Sequence, residues 1–424
     1  MMLSSVLPIL NLEYYMQGVS QEVSGVPEID LTDPEVLRNP FTAYGSARER
    51  SPLARLSAPG FGPIWAVTRH EEARAMLGDP RFELNADSYI RPSGIPESCL
   101  AYMRTMQEMD GPEHARLRGL VSPAFAARRA AEFRPRIEAI ADRLLDDLVD
   151  RAEGGVVDVL QHFARLLPID VISELVGIPL PDRPRWREYG AAVAAGWGQQ
   201  FAEAIPAIME GAKAAVAARR IEPGEDLIAE LVRIQGEDGD RLSDTETITL
   251  VWHLVLAGQT PTNLIANAVE ALLCHPDQMA ALRDDTSLMP RAVEELMRWC
   301  GPQLLSIPRY ARGDVEIGGV LVGKGEAVTA AIVSANRDPR AFADPERLDI
   351  RRAAGSSAHL GFAHGPHFCL GASLARVQTG TALTALLRRF PDLALAVSPD
   401  DVERAPDGGT WRVRSLPVIL SPSR

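Results

Sequence analysis

The sequence predicts a mainly α-helical protein with a small β-rich lobe, an α+β fold class that three observations support. Residues from about 100 to 300 carry Ala, Leu, Glu and Arg at helical spacing. Between Arg309 and Val333 the pattern changes to short β-branched runs punctuated by glycines, which is typical of hairpins. A last helix is expected from about Leu370 to Phe390, where Pro391 ends it.

The helical part begins after Asp110-Gly111-Pro112 and divides at breakers. Arg-rich amphipathic segments continue to Asp150, and Gly154-Gly155 separates them from further helices that reach about residue 233. The absence of a flexible linker favours one domain over residues 26–424, preceded by a loosely ordered leader at residues 1–25.

A long helix is predicted next, because Ser243-Asp244-Thr245-Glu246 is a capping box and the helical pattern continues to His275-Pro276. About 30 residues of helix would be about 45 Å long, enough to cross the molecule. Pro261 lies inside it and predicts a kink that frees a carbonyl near residue 257.

Charge and cysteine content exclude several protein classes. The chain has 424 residues and a net charge of −13, which repels phosphate and argues against a nucleic-acid partner. Four cysteines without a CxxC pair indicate a reducing compartment and no disulfide framework. No apolar run is long enough to span a membrane, and the apolar N-terminal run is short and broken by Pro8. We therefore expect a cytoplasmic protein without a membrane partner. We also expect a monomer.

The segment from His359 to Arg376 carries the strongest chemical signal. Cys369 lies at the end of a Gly/Pro-rich loop and the start of a helix, where N–H groups stabilise a thiolate. Gly365 and Gly371 remove side chains where a large flat ligand would approach. This combination favours haem iron held by a thiolate.

Two alternatives remain open for this segment. A lone cysteine is most often a small buried hydrophobic residue. His359, His364, His367 and Cys369 are also residue types that bind zinc, although their spacing matches no common zinc framework.

Phe362 to Gly371 reads F-A-H-G-P-H-F-C-L-G and resembles the signature F-G-x-G-x-[HR]-x-C-x-G of the cytochrome P450 family, with Ala363 in place of a glycine. The resemblance covers residues 26–424 and is to the soluble actinomycete-type branch. It implies a triangular helical body around a buried haem b. Cys369 would be the axial iron ligand, and dioxygen the co-substrate.

Glu295-Leu-Met-Arg298 resembles the ExxR pair of this family, and Arg347 is the expected third member of a structural triad. Residues three apart share a helix face, so the carboxylate and guanidinium can interact. The alternative is a solvated ion pair of little energetic value.

The resemblance also implies cofactor-binding residues away from the cysteine. His114 and Arg118, four apart on one helix face, resemble a pair that binds the haem propionates, and Arg309 and His367 match the other two positions. The alternative is a set of surface charges on amphipathic elements. The remaining implied cofactor contacts are Phe362, Gly371 and Ala257.

The long helix departs from the family pattern A-G-x-[DE]-T, because Leu256 to Asn263 reads L-A-G-Q-T-P-T-N. Matching the glycine puts Thr260 at the acid position and Pro261-Thr262 at the pair that follows. Counting back without a gap from His275-Pro276 instead puts Gln259 at the acid position of the family pattern and Thr260 at the threonine position. We prefer this second alignment, because an uninterrupted helix has no place for the deletion that the first alignment needs.

The acid is missing in either register. A glutamine orients water but donates no proton at pH 7, so Thr260 with water, or a substrate group, is expected to carry the proton relay. Alternatively, Thr260 only bonds back to a helix carbonyl. The missing acid also leaves room for an atypical reaction such as oxidative coupling.

An apolar pocket is expected under the segment from Phe82 to Met109, which resembles the family's substrate-covering loop. An apolar wall with few polar anchors suits a sizeable hydrophobic small molecule, and the alternative is ordinary packing. The candidate lining residues are Ile90, Leu100, Met103, Leu256, Leu304 and Leu305.

No flavin or nicotinamide fingerprint follows a predicted strand, so electrons are expected from outside the chain. The resemblance implies that a ferredoxin and its reductase supply them, with NAD(P)H acting only through these partners. The segment between residues 116 and 136 is basic, with six arginines and Glu132 as its one acid. This basic cluster would steer an acidic ferredoxin toward the protein. The alternative is a solvated helix face without a partner.

The expected function is a haem-thiolate monooxygenase that hydroxylates a mostly hydrophobic small molecule in secondary-metabolite biosynthesis. The alternatives are oxidative coupling with C–C or C–N bond formation, a non-catalytic haem sensor, and a zinc-binding protein.

Overall fold

The computed structural model describes residues 25–58, 63–89, 94–194, 199–237, 241–353 and 358–420, so the predicted leader lies outside them except for Gly25. The α-helices of the described residues are α1 Pro34–Arg38, α2 Pro40–Arg50, α3 His70–Gly78, α4 Glu97–Leu100, α5 Gly111–Val121, α6 Ala127–Asp150, α7 Leu166–Val176, α8 Arg183–Ala194, α9 Gln199–Ile221, α10 Leu227–Glu237, α11 Asp244–Ala257, α12 Pro261–Cys274, α13 Pro276–Asp284, α14 Met289–Cys300, α15 Ile332–Ala335 and α16 Ala372–Arg389.

The strands of the described residues are short, as the sequence predicts for a small β-rich part of a helical protein. They are β1 Glu28–Asp30, β2 Leu53–Ser57, β3 Ile64–Val67, β4 Phe82–Glu83, β5 Val156–Asp158, β6 Arg309–Ala311, β7 Val315–Ile317, β8 Val320–Val322, β9 Ala327–Ala330, β10 Ala394–Leu395 and β11 Pro417–Ile419.

The chain divides into two compact units. The sheet unit comprises Met1–Arg91, Arg291–Cys369 and Arg404–Arg412, and the helical unit comprises Pro92–Pro290, Leu370–Glu403 and Val413–Arg424. The single domain expected for residues 26–424 stays a prediction.

The sheet unit is built on a six-stranded sheet of order β1-β2-β3-β9-β6-β4. β1–β2 and β3–β9 are parallel pairs, and the other neighbours are antiparallel. β7 and β8 form the predicted hairpin, in which Gly318 and Gly319 have φ of 55° and 85° and form a tight turn. Val333 lies in α15 and not in a strand.

The helical unit contains α4 to α13, α16 and a three-stranded sheet of order β10-β11-β5. α6 packs along α16 with an apolar stripe at helical spacing. Asp170 of α7 is buried and accepts hydrogen bonds from Arg143 of α6 at 2.9 Å and from Arg187 of α8 at 2.8 Å. Because both charges meet one buried carboxylate, three helices are tied together.

The uninterrupted helix predicted after Ser243 is wrong, since α11 ends at Ala257 and α12 begins at Pro261. The predicted capping box is present: the Glu246 N–H donates to Ser243 Oγ at 3.2 Å, and the Ser243 N–H donates to Glu246 Oε2 at 2.8 Å. Pro261 cannot donate a backbone hydrogen bond, so a proline suits the first turn of a new helix better than the interior of a long one.

The last predicted helix is confirmed as α16, Ala372–Arg389. Within the described ranges, no helix is long and apolar enough to cross a membrane.

Candidate active site

Cys369 ends a loop of the sheet unit that folds back on itself. A 3-10 turn spans Gly365–His367, and the Cys369 N–H donates to the Phe362 carbonyl at 2.9 Å. The side chain of Cys369 is exposed. The other cysteines are buried or half-buried: Cys99, Cys274 and Cys300. Exposure therefore separates Cys369 from the packing cysteines.

Gly365 is required by the loop for a reason that the sequence did not indicate. Its φ is +76°, and a Cβ there would lie 2.7 Å from the Leu77 carbonyl oxygen and 2.9 Å from the Gly78 Cα of α3. The glycine therefore serves close packing on the end of α3. In the helical unit, a Cβ on Gly371 would meet no atom within 4 Å, and the contact of Gly371 with a cofactor stays a prediction.

The zinc alternative finds no support in the described part of the chain. His359, His364, His367 and Cys369 belong to no group of three or more metal-ligating side chains there. His359 instead contacts Glu294, and the His364 ring lies near Gly78.

Ala363, which replaces the family glycine, has a φ of 59°, in the left-handed region that glycine favours. Ala363→Gly is expected to raise the free energy of unfolding by about 0.5–1 kcal/mol, because strain of about 1–2 kcal/mol is relieved at some cost in loop entropy. Urea unfolding of the two proteins measures this. Gly365→Ala is the matched control in the same loop and is expected to destabilise; a loss of stability in Ala363→Gly would contradict the strain.

Three predicted cofactor contacts of the sheet unit lie on or near this loop. Arg309 begins β6, is buried, and donates from Nη1 to the Leu77 carbonyl at 2.8 Å. Phe362 is buried with its ring centroid 6.3 Å from that of Phe368, and His367 is half-buried. α3 thus anchors both Arg309 and the cysteine loop, since each contacts its last residues.

Glu295 and Arg298 form the predicted pair on α14, and both side chains are 2% exposed. Arg298 donates two hydrogen bonds of 2.8 Å to the Glu295 carboxylate. Its remaining donors bind the carbonyls of Asn336, Pro345 and Arg347. The ion pair is therefore buried and connects α14 to the backbone of residues 336–347, and the alternative of a solvated ion pair is wrong.

The third member of the triad is Arg352, which corrects the expectation of Arg347. Arg352 Nε lies 3.1 and 3.0 Å from the two oxygens of Glu295. Arg347 has an exposed side chain, and only its carbonyl joins the network, as an acceptor from Arg298 and Arg352. The physical reason is the turn of the intervening backbone, which the spacing of the two arginines does not reveal.

In the helical unit, His114 is buried and Arg118 is half-buried, four residues apart on α5 as predicted. Residues at this spacing lie on one helix face. Their role toward haem carboxylates stays a prediction.

The break between α11 and α12 contains the candidate oxygen-activation residues. Thr260 donates to the Ala257 carbonyl twice, from Oγ1 at 2.9 Å and from its N–H at 3.2 Å. The carbonyl that a kink was expected to free is thus an acceptor for Thr260, and this expectation is wrong. Thr260 thus bonds back to the helix while its side chain stays exposed, and its role in a proton relay stays a prediction.

Gln259 and Gly258 face neighbouring helices. The Gln259 amide packs on Gly190 of α8, and its Nε2 is buried with no hydrogen-bond partner among the described residues. A Cβ on Gly258 would collide with Ile172 of α7. This glycine is therefore needed for helix packing.

The candidate pocket residues divide between packing and exposure. Leu304 and Leu305 belong to a hydrophobic core of the sheet unit, and their place in a substrate pocket stays a prediction. Leu256 and Met103 are buried in the helical unit, and Leu100 is 45% exposed. Ile90 lies outside the described residues.

The end of the expected substrate-covering segment is attached to α11 by contacts that sequence reasoning missed. The Tyr102 carbonyl accepts hydrogen bonds from Thr249 Oγ1 at 3.2 Å and Trp252 Nε1 at 3.1 Å. The Lys213 ammonium of α9 lies 5.1 Å from the centroid of the Tyr102 ring. No sequence motif signals these contacts, because they join residues more than 100 positions apart.

Comparisons with known proteins agree with this arrangement. The family model for cytochrome P450 matches residues 196–408. The chain is 39% identical over 396 residues to the cytochrome P450 monooxygenase PikC of Streptomyces venezuelae, covering 92% of this chain and 94% of PikC. It is 40% identical over 387 residues to the mycinamicin IV hydroxylase/epoxidase of Micromonospora griseorubida, with 89% and 94% covered. Among solved structures, CxnD, a cytochrome P450 enzyme for C–S bond formation in chuangxinmycin biosynthesis, has a TM-score of 0.80 at 32% identity, with 91% and 95% covered.

Proposed function

Because the chain belongs to the cytochrome P450 family of haem-thiolate monooxygenases, we propose that it hydroxylates a sizeable, mostly hydrophobic small molecule in secondary-metabolite biosynthesis. The observation that carries the proposal is the loop that ends at Cys369. Its thiol is exposed, and its N–H is held by the Phe362 carbonyl. An accessible sulfur on a fixed backbone is what axial ligation of haem iron needs.

The donors of the sheet unit are of the kinds that haem b needs: Cys369 would supply sulfur for iron, and Arg309 and His367 would supply donors for a propionate, which is costly to bury unpaired. The family resemblance implies the same propionate-binding role for His114 and Arg118 of the helical unit. When bound, haem activates dioxygen, so that one oxygen atom enters a substrate C–H bond and the other leaves as water, with two electrons and two protons consumed.

Thr260 Oγ1 is the group that we assign to proton delivery. Its proton is held on the Ala257 carbonyl at 2.9 Å, and rotation of the hydroxyl presents the proton to water without breaking the backbone bond at 3.2 Å. Gln259 is packed on Gly190 of α8, and an amide is no acid at neutral pH. Thr260 therefore relays the proton in our proposal, and Gln259 positions the break.

Thr260→Ala is expected to lower the rate of product formation by about a hundredfold, the lower end of the range for loss of a proton-transfer group, and to lower the product formed per NAD(P)H consumed. Thr262→Ala is the matched control. Thr262 directly follows Pro261, and it belongs to the pair after the acid position in the other alignment with the family pattern. If the product formed per NAD(P)H consumed is unchanged in Thr260→Ala but falls in Thr262→Ala, Thr262 and not Thr260 delivers the proton.

We propose that electrons come from an external ferredoxin and ferredoxin reductase. Arg128, Arg129, Arg134 and Arg136 are exposed on α6, and they keep an excess of positive charge although Arg128 and Arg129 both pair with Glu132. Arg116 takes no part, because it binds Glu246 and the Arg241 carbonyl. Arg136 also lies 3.8 Å from Glu174, so the positive excess is confined to residues 128–136 at the start of α6. An acidic ferredoxin would complement this first part of the helix, because the acids of α6 follow mostly after it.

Oxidative coupling is the second candidate, favoured by the absence of an acid at residues 257–263. CxnD, which resembles this chain, forms a C–S bond. A coupling reaction removes two hydrogen atoms and forms a bond within the substrate. With two further electrons from the ferredoxin and two protons, both oxygen atoms leave as water.

Turnover under isotopically labelled dioxygen tests the two candidates. Substrates are first found by the spectral change that follows displacement of the iron's water ligand. Hydroxylation is expected to place one labelled oxygen atom in the product, whereas coupling places none. Omission of the ferredoxin is expected to stop product formation, and turnover without it would overturn the external electron supply.

A further inference from the structure

We propose that His359 and Glu294 are positioning residues for Cys369, forming a strap between α14 and the cysteine loop. The inference rests on the proposed function, in which Cys369 is the axial ligand. All of its residues lie in the sheet unit. The strap is not part of the Glu295 triad, because Glu294 and Glu295 are consecutive on α14 and point in different directions.

The hydrogen bonds of the His359 ring fix which nitrogen carries the proton. The Gly361 N–H lies 3.2 Å from Nδ1, which must therefore be the acceptor. The proton of the neutral ring is then on Nε2, which lies 3.2 Å from Glu294 Oε2 and donates to it. One imidazole thus holds a loop N–H with one nitrogen and a helix carboxylate with the other.

The histidine end of this strap is buried, and the glutamate end is open to solvent. The His359 side chain is 8% exposed and that of Glu294 is 40% exposed. The ring centroids of His359 and Phe362 are 5.7 Å apart. The neighbouring Leu360 N–H donates to Asn336 Oδ1 at 2.7 Å, so consecutive N–H groups of the loop are held by side chains.

The strap reaches Cys369 through one residue. Phe362 follows Gly361, and its carbonyl accepts the Cys369 N–H at 2.9 Å. Any shift of the backbone at residues 361–362 therefore moves the backbone of the cysteine. The strap determines where the sulfur lies and how firmly it is held, and His359 itself contacts no reacting atom.

The test compares three variants of the haem-loaded enzyme. His359→Phe removes both hydrogen bonds but keeps a ring against Phe362. His359→Asn keeps an acceptor for the Gly361 N–H, because Asn bonds readily to the backbone two residues on, but loses Glu294. Glu294→Gln keeps the contact without its charge. Glu49→Gln is the control, an exposed glutamate of the same unit that pairs with Arg340.

The readouts are the rate at which the reduced carbon monoxide complex loses its thiolate-type Soret band under mild denaturant, and the midpoint potential of the iron. We expect His359→Phe to lose the band roughly tenfold faster, because the two hydrogen bonds that it removes are together worth about that factor. We also expect a more positive potential, because a less firmly held sulfur donates less to iron. His359→Asn and Glu294→Gln are expected to lie between His359→Phe and the wild type.

Equal rates and potentials in His359→Phe and the wild type would overturn the strap, as would a Glu49→Gln effect as large as that of Glu294→Gln. Changed rates with unchanged potential would also overturn it, since general destabilisation alone explains them. Absence of a thiolate-type band from the wild type would instead overturn the proposed function. The two failures are therefore distinguishable.

Discussion

Cys369→Ser is expected to remove the thiolate-type Soret band from the reduced carbon monoxide complex and to abolish product formation. A serine hydroxyl is far less acidic than a thiol and does not supply an anionic sulfur to iron. Fold and expression are expected to persist, because the Cys369 side chain is exposed and its backbone bond to Phe362 does not depend on the sulfur. Absorption spectra with carbon monoxide measure the change directly.

Cys274→Ser is the control, since Cys274 is the half-buried cysteine and is expected to keep both spectrum and activity. A thiolate-type band that persists in Cys369→Ser would assign the iron ligand to another cysteine. Colourless wild-type protein that contains zinc would exclude haem altogether, although no group of zinc ligands occurs in the described part of the chain.

Local patterns predicted the elements of the fold well. The capping box at Ser243, the hairpin turn at Gly318-Gly319 and the end of α16 before Pro391 each depend on residues within a few positions of each other. The long helix was wrong because Pro261 begins a new helix, and a single proline does not tell a kink from a break.

Site residues could be predicted from the sequence where the chemistry requires one residue type. They were harder to predict where packing between distant segments determines the role of a residue. Cys369 and the Glu295–Arg298 pair could be found from motifs. Gly258 and Gly365 were found as motif positions, but their contacts with Ile172 and α3 depend on how distant segments meet. Leu304 and Leu305 are as apolar as any pocket residue and belong to a core, which composition does not reveal.

Glu295→Gln is expected to lower the free energy of unfolding by about 3–5 kcal/mol, the second large effect. The carboxylate is 2% exposed and receives both Arg298 and Arg352. A glutamine would leave the guanidinium charge of Arg298, which is also 2% exposed, without a counter-charge. Removing only one partner of a buried ion pair is strongly destabilising, because the other charge stays buried without compensation. Urea unfolding measures the loss, and retention of haem after purification reports it independently.

A pair of arginine variants separates the observed triad from the one that sequence alone suggested. Arg352→Ala removes the second cation from Glu295 and three donors to the carbonyls of residues 343, 344 and 347, so we expect a loss of about 2–4 kcal/mol. Arg347→Ala keeps the carbonyl that Arg298 and Arg352 bind and removes only an exposed side chain, so its effect is expected to stay within about 0.5 kcal/mol. Comparable losses in the two variants would place the Arg347 guanidinium in the network.

A double-mutant cycle with Glu295→Gln then measures the coupling energy between Glu295 and each arginine. This coupling energy is expected to be large for Arg352 and near zero for Arg347, because only residues in one network depart from additivity.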